Sequence, residues 1–431
     1  MINEFNIEKF ISEYYKLNRA PVCDDISYFI TKIKELLPQG KILKSKSGQE
    51  CLTWFTPKSW DIHHARVTNS KGEKVMDFKD NPMHLLQYSA AFKGEITFEE
   101  LDKHIFYSKE HPNDIPFIVR KQYHFNADAD DSWGISIPYH VYKKLDRNGT
   151  YFVDLDIEFS KKEMLVFDLL LQGEKNETIF LGAHSCHPAQ VNDGIAGVAL
   201  LIKLFQWLQS LKTRKYSYRM IIGPEYFAAA YFLAHGNKIE NIKFGMYLDM
   251  MVHDGPIGFS TSFQDNTMID FITEKCMKEQ FETYEKYEYR KLWGNDEMFY
   301  DGPDFRIPTV GIGRSNFSEY HLSSDTPSTI NKKSVEQSYE LLKNIILTFE
   351  NEFIVKRNYS GPLYLSRYNM YIDPKVDRDG YDNLQKIQIL MDGNKSTLDI
   401  AKQLNIKPNF VNLVAKNLIE KNLAIEKKDH K

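Results

Sequence analysis

The chain has 431 residues, of which 42% are hydrophobic and 26% are charged, and its formal net charge is −4. This length predicts two or three domains, and this balance is ordinary for a globular protein. The near-neutral charge excludes strong electrostatic binding to nucleic acid or to anionic membranes as a general expectation.

The sequence carries no signal that we interpret as targeting. No apolar run approaches the ~18 residues of a membrane-spanning helix, and the N-terminus lacks the apolar core of a signal peptide. The 4 cysteines are scattered without a CxxC pair. Reduced thiols in a cytoplasmic protein are therefore expected.

The pattern of apolar residues changes three times along the chain. Residues 4–37 have helical periodicity, and residues 50–160 consist of short alternating runs with turn residues between them, which predicts a β-rich module. From 163 to 355 apolar strands alternate with amphipathic helices. This predicts an α/β fold with a mainly parallel (mixed) sheet and helices on both faces. Residues 381–428 contain three short helices and a strand, as in a winged helix-turn-helix.

We therefore predict three domains. The catalytic α/β domain comprises 1–45 and 160–360, the inserted β-rich domain 46–159, and the winged helix 375–431. An acidic cluster within 127–134 of the insert is interpreted as a solvated loop. The second recognition segment of the winged helix, 407–422, has three lysines and no arginine, so we do not expect nucleic-acid binding. Docking or homo-oligomerisation stays open for it.

Polar side chains collect where the predicted strands end. His184, Cys186, His187 and Asp193 follow the strand ETIFLGA, Glu225 and Asp249 follow the next two strands, and His321 lies after IPTVGIG. One such histidine is more often a satisfied polar residue than a ligand. Four strand ends of this kind are hard to assign to packing, because unpaired carboxylates at a buried edge are costly. In open α/β sheets, sites form at the carboxyl ends of strands.

These residue types indicate a metal site. Imidazoles and carboxylates suit zinc, and less well manganese, but not copper(I) or an iron–sulfur cluster. Asp193 opens a glycine-containing helix and can bridge two metal ions, and Asp249 and His321 can each complete one position. Glu225 is the candidate general base, because water that attacks a carbonyl needs a carboxylate to take its proton.

The ordered set of motifs resembles the co-catalytic zinc aminopeptidase clan over residues 160–355. The motifs are GAH at 182–184, DGIAG at 193–197, PE at 224–225, LDM at 248–250 and HLSSDT at 321–326. The resemblance implies an aminopeptidase-like fold, one or two zinc ions, and a peptide or another small amide-bearing substrate.

The sequence departs from that clan at two places. Cys186 stands where the clan has the aspartate of His-x-Asp, and Pro224 stands where it has the first acid of Glu-Glu. If Glu225 is the base, one metal ion lacks a ligand. If Glu225 is a ligand, the base is lost.

The whole chain is similar to an uncharacterised bacterial aminopeptidase-like family with an inserted β domain and a C-terminal winged helix, often linked to polysaccharide biosynthesis. The CHP motif at 186–188 is typical of that family. It leaves open whether His184 or His187 is the metal ligand.

Substrate-binding residues are predicted in and after the loop 293–305. Asp296 and Glu297 could receive a substrate ammonium, although this loop could equally be solvated. Arg314 could bind a carboxylate or an oxyanion, or make a structural salt bridge. Tyr320, with Phe299 and Tyr300, is expected to form an apolar pocket.

Three functional hypotheses follow. The first is a zinc-dependent aminopeptidase or related amide hydrolase with Glu225 as general base. The second is a metal-dependent hydrolase that acts on a modified sugar or a polysaccharide precursor. The third is a ligand-sensing regulator with a degenerate peptidase core.

Overall fold

The structure is a computed structural model that describes residues 5–118 and 132–427, so most of the acidic cluster within 127–134 lies outside the described residues. The chain divides into two compact units. The first comprises Met1–Asp265 and Thr283–Tyr339, and the second comprises Asn266–Glu282 and Glu340–Lys431. In the described ranges no helix has the length and apolar character needed to span a membrane.

The helices and strands that the sequence predicted occur in that order, together with short elements that it did not predict. The helices are α1 (Ile7–Tyr14), α2 (Asp24–Leu36), α3 (Phe98–Asp102), α4 (Tyr139–Tyr142), α5 (Ile195–Ser210), α6 (Phe227–His235), α7 (Met268–Gln280), α8 (Glu297–Tyr300), α9 (Lys332–Glu350), α10 (Arg378–Leu390), α11 (Thr397–Leu404) and α12 (Pro408–Glu420). The strands are β1 (Lys41–Lys46), β2 (Glu50–Cys51), β3 (Trp54–Phe55), β4 (Ser59–Asn69), β5 (Lys74–Asp77), β6 (Phe92–Thr97), β7 (Ile105–Phe106), β8 (Ile135–Ser136), β9 (Thr150–Ser160), β10 (Glu163–Leu171), β11 (Thr178–His184), β12 (Ser217–Gly223), β13 (Ile242–Leu248), β14 (Ile257–Ser260), β15 (Glu285–Tyr287), β16 (Thr309–Arg314), β17 (Ile354–Arg357), β18 (Asp392–Ser396) and β19 (Ala424–Lys427).

The first unit is built on an eight-stranded mixed sheet in the order β1-β10-β12-β11-β13-β16-β14-β15. Its centre, β12-β11-β13-β16, is parallel, whereas β1, β10 and β14 run antiparallel to their neighbours on the central side. The predicted mixed α/β sheet is confirmed. The carboxyl ends of the parallel strands therefore meet at one edge, where the predicted polar residues lie.

Helices cover both faces of this sheet, as predicted. Successive side chains of β11 point to opposite faces. Phe180 belongs to a core cluster with the buried side of α6, while α5 lies over the other face, where Gly197 approaches Ala183. α5 is buried along most of its length, because it is enclosed on more than one side.

The insert contains an antiparallel four-stranded sheet in the order β5-β4-β9-β6. The central strand β9 alternates between buried and more exposed residues, so one face of this sheet packs on a core and the other meets solvent. The β-rich character predicted for 46–159 is therefore present. The predicted domain boundaries stay a prediction.

The second unit contains α7, most of α9, and the C-terminal helices α10, α11 and α12. A three-stranded antiparallel sheet accompanies them in the order β18-β17-β19. Ser396 and Asp399 form a capping box at the start of α11, which explains the sharp entry into this helix. The helices and the last strand lie where they were predicted, whereas the assignment as a winged helix stays a prediction.

Candidate metal centre

His184 ends β11, and the chain then turns sharply through Cys186 and His187. All three residues are buried. The main-chain oxygen of Cys186 lies within hydrogen-bond reach of Nδ1 of both histidines, at 3.3 Å for His184. A carbonyl that accepts from Nδ1–H fixes the tautomer and leaves Nε2 as a lone-pair donor. One carbonyl therefore orients both imidazoles.

Asp193 lies at the centre of the cluster. Its Oδ1 is 3.4 Å from His184 Nε2 and 3.5 Å from His187 Nδ1, and its Oδ2 is 2.9 Å from His321 Nε2. Burial alone would raise the pKa of Asp193, but the neighbouring His187, His321 and His184 hold this pKa well below its usual range. Asp193 is therefore an anion that faces three imidazoles, as expected of a carboxylate shared between metal sites.

Asp249 follows β13 and lies 3.4 Å from His184 Nε2 through its Oδ1. Its Oδ2 accepts a hydrogen bond of 3.0 Å from the side chain of Asn295. Burial raises the pKa of Asp249. Burial lowers the pKa of His184, but the carboxylates of Asp249 and Glu225 outweigh this effect and raise the His184 pKa well above its usual range. The carboxylates around His184 therefore favour a positive charge at this position.

The donor set fits a metal ion. Three groups have ligand atoms within 4.8 Å of one another: His187, Asp193 and His321; His184, Asp193 and Asp249; and His184, Cys186 and His187. Among the described residues, His184 Nε2 and Asp193 Oδ2 are buried atoms that lie in ion-pair contacts but make no hydrogen bond of suitable geometry. Buried polar atoms without a hydrogen bond are costly, and a cation between them would remove this cost. The first two groups share Asp193, so both histidines left open by the sequence lie at the centre.

Glu225 lies between β12 and α6 and is buried. Its main-chain amide donates to Cys186 Sγ at 3.2 Å. The next residue, Tyr226, has a positive φ of 65° and donates its main-chain amide to Asp296 Oδ1. Cys186 and Asp296 thus fix the backbone on both sides of the Glu225 side chain.

Asp296 and Glu297 are both buried, which excludes the solvated-loop interpretation. Burial and the charge of Glu225 raise the pKa of Asp296 to about 8. Burial also raises the pKa of Glu297 to about 7. The carboxylate of Glu297 accepts from the main-chain amide of Asn295 and lies 3.4 Å from Arg290. Of the two acids, Asp296 is therefore the better placed beside Glu225.

The other predicted substrate residues lie in different surroundings. Tyr320 is 38% exposed and stacks on His321 with 3.9 Å between ring centroids, so it lies at the site. The guanidinium of Arg314 donates to Gly255 and Gln337, which is a structural role. Phe299 and Tyr300 are core residues, because α8 directs these rings into the interior, and the apolar pocket predicted around them stays a prediction.

Two residues that support the site had no predicted role. Asp325 accepts hydrogen bonds from the main-chain amides of Val191, Asn192 and Asp193. The buried Arg19 donates to the carbonyls of Ser185 and Gln190, at the two ends of the His187 turn. The DT of HLSSDT was a usable signal for Asp325. Nothing in the local sequence marks Arg19.

Several residues at this site have backbone conformations with positive φ. His187 (111°), Ala189 (51°), Tyr226 (65°), Met250 (53°) and His321 (58°) each lie at or beside one of the residues described above. Each such residue costs of order 1–3 kcal/mol and persists only where the surrounding structure holds it in place. Strain of this kind is typical of functional sites.

Comparison with solved structures places this fold among aminopeptidases. The chain is similar to a provisionally described peptidase from Clostridium acetobutylicum, with a TM-score of 0.86 and 26% identity over 98% of this chain and 96% of the other. It also resembles a zinc aminopeptidase from Bacillus subtilis (TM-score 0.55, 11% identity, 79% and 93% covered) and a peptidase M28 precursor from Shewanella amazonensis (0.54, 14%, 79% and 91%). At these last identities the likeness shows the fold alone.

Comparison of this chain with curated sequences agrees with the comparison of structures. A relative from Clostridium acetobutylicum is 28% identical over 412 residues, which cover 92% of this chain and 90% of the relative. Its provisional name is that of a polysaccharide biosynthesis protein with an aminopeptidase-like domain. The predicted resemblance to aminopeptidase-like proteins is thereby confirmed, and the name of this relative refers to polysaccharide biosynthesis. Because a family model matches residues 8–352, the chain belongs to the family described as "Domain of unknown function (DUF4910)".

Proposed function

We propose that this protein is a zinc-dependent aminopeptidase-like hydrolase of amide bonds. The observation that carries the proposal is the pair of ligand groups that share Asp193. Two sites joined by one carboxylate are the arrangement in which two cations can stabilise both the attacking and the leaving group.

In this proposal His184 and Asp249 would hold one ion, His187 and His321 would hold the other, and Asp193 would be shared between the two sites. His187 then takes the place of the acid that is missing before Glu225, so Glu225 is not required as a ligand. Zinc bound there would supply a Lewis acid and an activated water. A single ion shared among the same ligands is the simpler variant.

Glu225 is the proposed general base. Its backbone is fixed on one side by Cys186 and on the other, through Tyr226, by Asp296. A base must be held at a fixed distance from the water whose proton it accepts. These two contacts supply that rigidity, so Glu225 takes the proton from the attacking water and delivers it to the leaving amine.

Asp296 is the proposed acceptor for the α-ammonium of the substrate. It is buried beside Glu225, and its pKa is raised to about 8. A cation that enters favours the ionised carboxylate. Binding of a free amine is then coupled to ionisation of Asp296, whereas an acetylated amine offers no charge. Tyr320, which stacks on His321, would contact the remainder of the substrate, a peptide or another small amide-bearing molecule.

The test is Glu225→Gln, measured for both zinc content and amide hydrolysis. We expect the metal content to be unchanged and the rate to fall by about 10²–10⁴-fold. The exposed Glu240→Gln is the matched control and should retain full activity. Loss of metal together with activity would make Glu225 a ligand, and unchanged activity would remove it from the mechanism.

The substrate assay uses aminoacyl chromogenic amides beside their N-acetyl partners, with and without added zinc. We expect turnover only of the amides with unblocked amines. Equal rates on both partners would contradict the aminopeptidase proposal and leave a general amide hydrolase.

A second function is favoured by the name of the Clostridium acetobutylicum relative, which refers to polysaccharide biosynthesis. The same centre could hydrolyse the N-acyl group of a modified sugar or a polysaccharide precursor. Release of acetate from N-acetylated amino sugars, without turnover of any aminoacyl amide, would favour it. The cytoplasmic location and the sensor hypothesis stay predictions.

A further inference from the structure

A short segment of the insert pairs with the loop that carries His321. Pro116 and Leu322 form an antiparallel bridge. The main-chain amide of Phe117 donates to the His321 carbonyl at 2.7 Å, and the amide of Ser323 donates to the Ile115 carbonyl at 3.0 Å. The Ser323 hydroxyl also accepts from the Ile115 amide at 2.9 Å. These bonds hold both sides of a loop whose central residue, His321, has a left-handed backbone.

The ring of Phe117 packs on two of the histidines. Its centroid is 5.3 Å from that of His187 and 5.3 Å from that of His321, edge-on in both cases. The side chain is buried, with a residue exposure of 8%. Because it touches both rings of the same ligand group, Phe117 limits how far either imidazole can rotate.

The insert is also anchored on the other ligand loop. Met83, Ile115 and Phe117 form a buried apolar cluster with Ala189. Ala189 lies two residues after His187 and has a positive φ of 51°. The same segment therefore contacts both loops that supply the His187–Asp193–His321 group.

We propose that Phe117 is a positioning residue for the metal centre, and that the inserted module completes this centre rather than merely adjoining it. The inference rests on the metal site of the proposed function. Imidazole ligands must be held close to one geometry for tight binding, and loss of a residue that orients a ligand typically weakens metal affinity by about 10- to 100-fold.

The test compares Phe117→Ala with Phe98→Ala, measured as the dissociation constant for zinc in competition with a chromogenic chelator. Phe98 is also a phenylalanine of the insert with 8% exposure, but it packs against Tyr142 and Tyr151 within that module. Both variants should lose thermal stability. Only Phe117→Ala should raise the dissociation constant, by at least tenfold, and Phe117→Leu should recover part of the affinity.

Cobalt substitution gives a second readout that does not depend on catalysis. The visible absorption of bound cobalt(II) should change shape in Phe117→Ala and stay unchanged in Phe98→Ala. If Phe117→Ala does not fold, Ser323→Ala tests the pairing between the same two segments, because it removes the hydrogen bond between the Ile115 amide and the Ser323 hydroxyl. This variant should raise the zinc dissociation constant by a smaller factor. Wild-type protein that binds no zinc would defeat the proposed function. Wild-type binding with equal affinity in all variants would overturn only the role of Phe117.

Discussion

The surroundings of Asp296 change the acidity of its side chain. Burial and the nearby Glu225 raise the pKa of this carboxyl group to about 8. A carboxyl whose folded-state pKa is raised is more stable in its protonated form. At pH values between the pKa of the unfolded state and that of the folded state, the folded protein binds one proton more than the unfolded chain. The free energy of unfolding therefore falls as the pH rises through this range.

We expect Asp296→Asn to flatten the pH dependence of stability. For metal-free wild-type protein, the free energy of unfolding should fall between about pH 4 and pH 8, with one proton contributing up to about 1.4 kcal/mol per pH unit. The asparagine variant lacks this contribution and keeps an acceptor for the Tyr226 amide. Urea denaturation of both proteins across the pH series measures the free energy of unfolding at each pH.

The control for that series is Asp304→Asn, an exposed acid of the same loop, which should follow the wild-type curve. A slope in Asp296→Asn as steep as that of wild type would show that other groups bind the proton. Glu297, with its pKa raised to about 7, would be the next residue to replace.

At the residue scale the sequence identified the candidate metal ligands by chemical type and by position after strands. It did not choose between His184 and His187, since two histidines three residues apart can point in many directions. The left-handed backbone at His187 returns the chain toward Asp193, and no local pattern encodes that turn. Phe117 was missed for a related reason, because its partners come from distant parts of the chain.

The close contact between α5 and the sheet sets the position of Asp193, which lies just before this helix. A methyl group added at Gly197 would lie 2.7 Å from the carbonyl of Leu248 and 3.1 Å from the side chain of Ala183. These residues directly precede Asp249 and His184. Gly197 therefore keeps the helix that follows Asp193 close to the two strands that deliver the other ligands.

Gly197→Ala should both destabilise the protein and weaken metal binding. Alanine improves helix propensity by up to about 1 kcal/mol, but overpacking against a strand carbonyl costs about 1–3 kcal/mol, so the net change should be unfavourable. Thermal denaturation and zinc titration measure the two effects.

Gly94→Ala is the matched control, because a methyl group there meets only ordinary contacts at 3.7 Å with Phe92. It should leave zinc affinity unchanged. A Gly197→Ala variant as stable as wild type, with equal zinc affinity, would contradict the role given to this contact.

The elements predicted best were those with a strong period, such as α5, α9 and the central strands. The short strands β14 and β15 were missed, because four and three residues are too few to show a pattern. β17 and β18 were missed as well, since their pairing with β19 depends on partners remote in sequence.

At the scale of the whole molecule, ligand binding and folding should be coupled. The candidate ligands come from four separate strand ends, and most of them are buried. The burial of these ionisable groups and the unmet hydrogen bonds among them oppose folding, and a metal that binds only the native state would offset this cost by mass action. The metal should therefore behave as a structural component as well as a reagent.

Removal of metal with a chelator should lower the midpoint of thermal unfolding, and added zinc should restore it. At a free zinc concentration of ~1,000 times the dissociation constant, the stabilisation is about 4 kcal/mol. Asp193→Asn should be insensitive to both treatments, because it removes the shared carboxylate. A midpoint that does not respond to chelator or zinc in wild-type protein would contradict the metal site.

The support of the His187 turn by Arg19 has a consequence for how the protein is made. Arg19 emerges from the ribosome long before its acceptors Ser185 and Gln190, and Phe117 also emerges before the histidines on which it packs. His321 is the last ligand to appear. Since domains fold as their parts are released, the candidate centre cannot close until residue 321 has left the ribosome, and binding of the proposed metal would be a late step of biosynthesis.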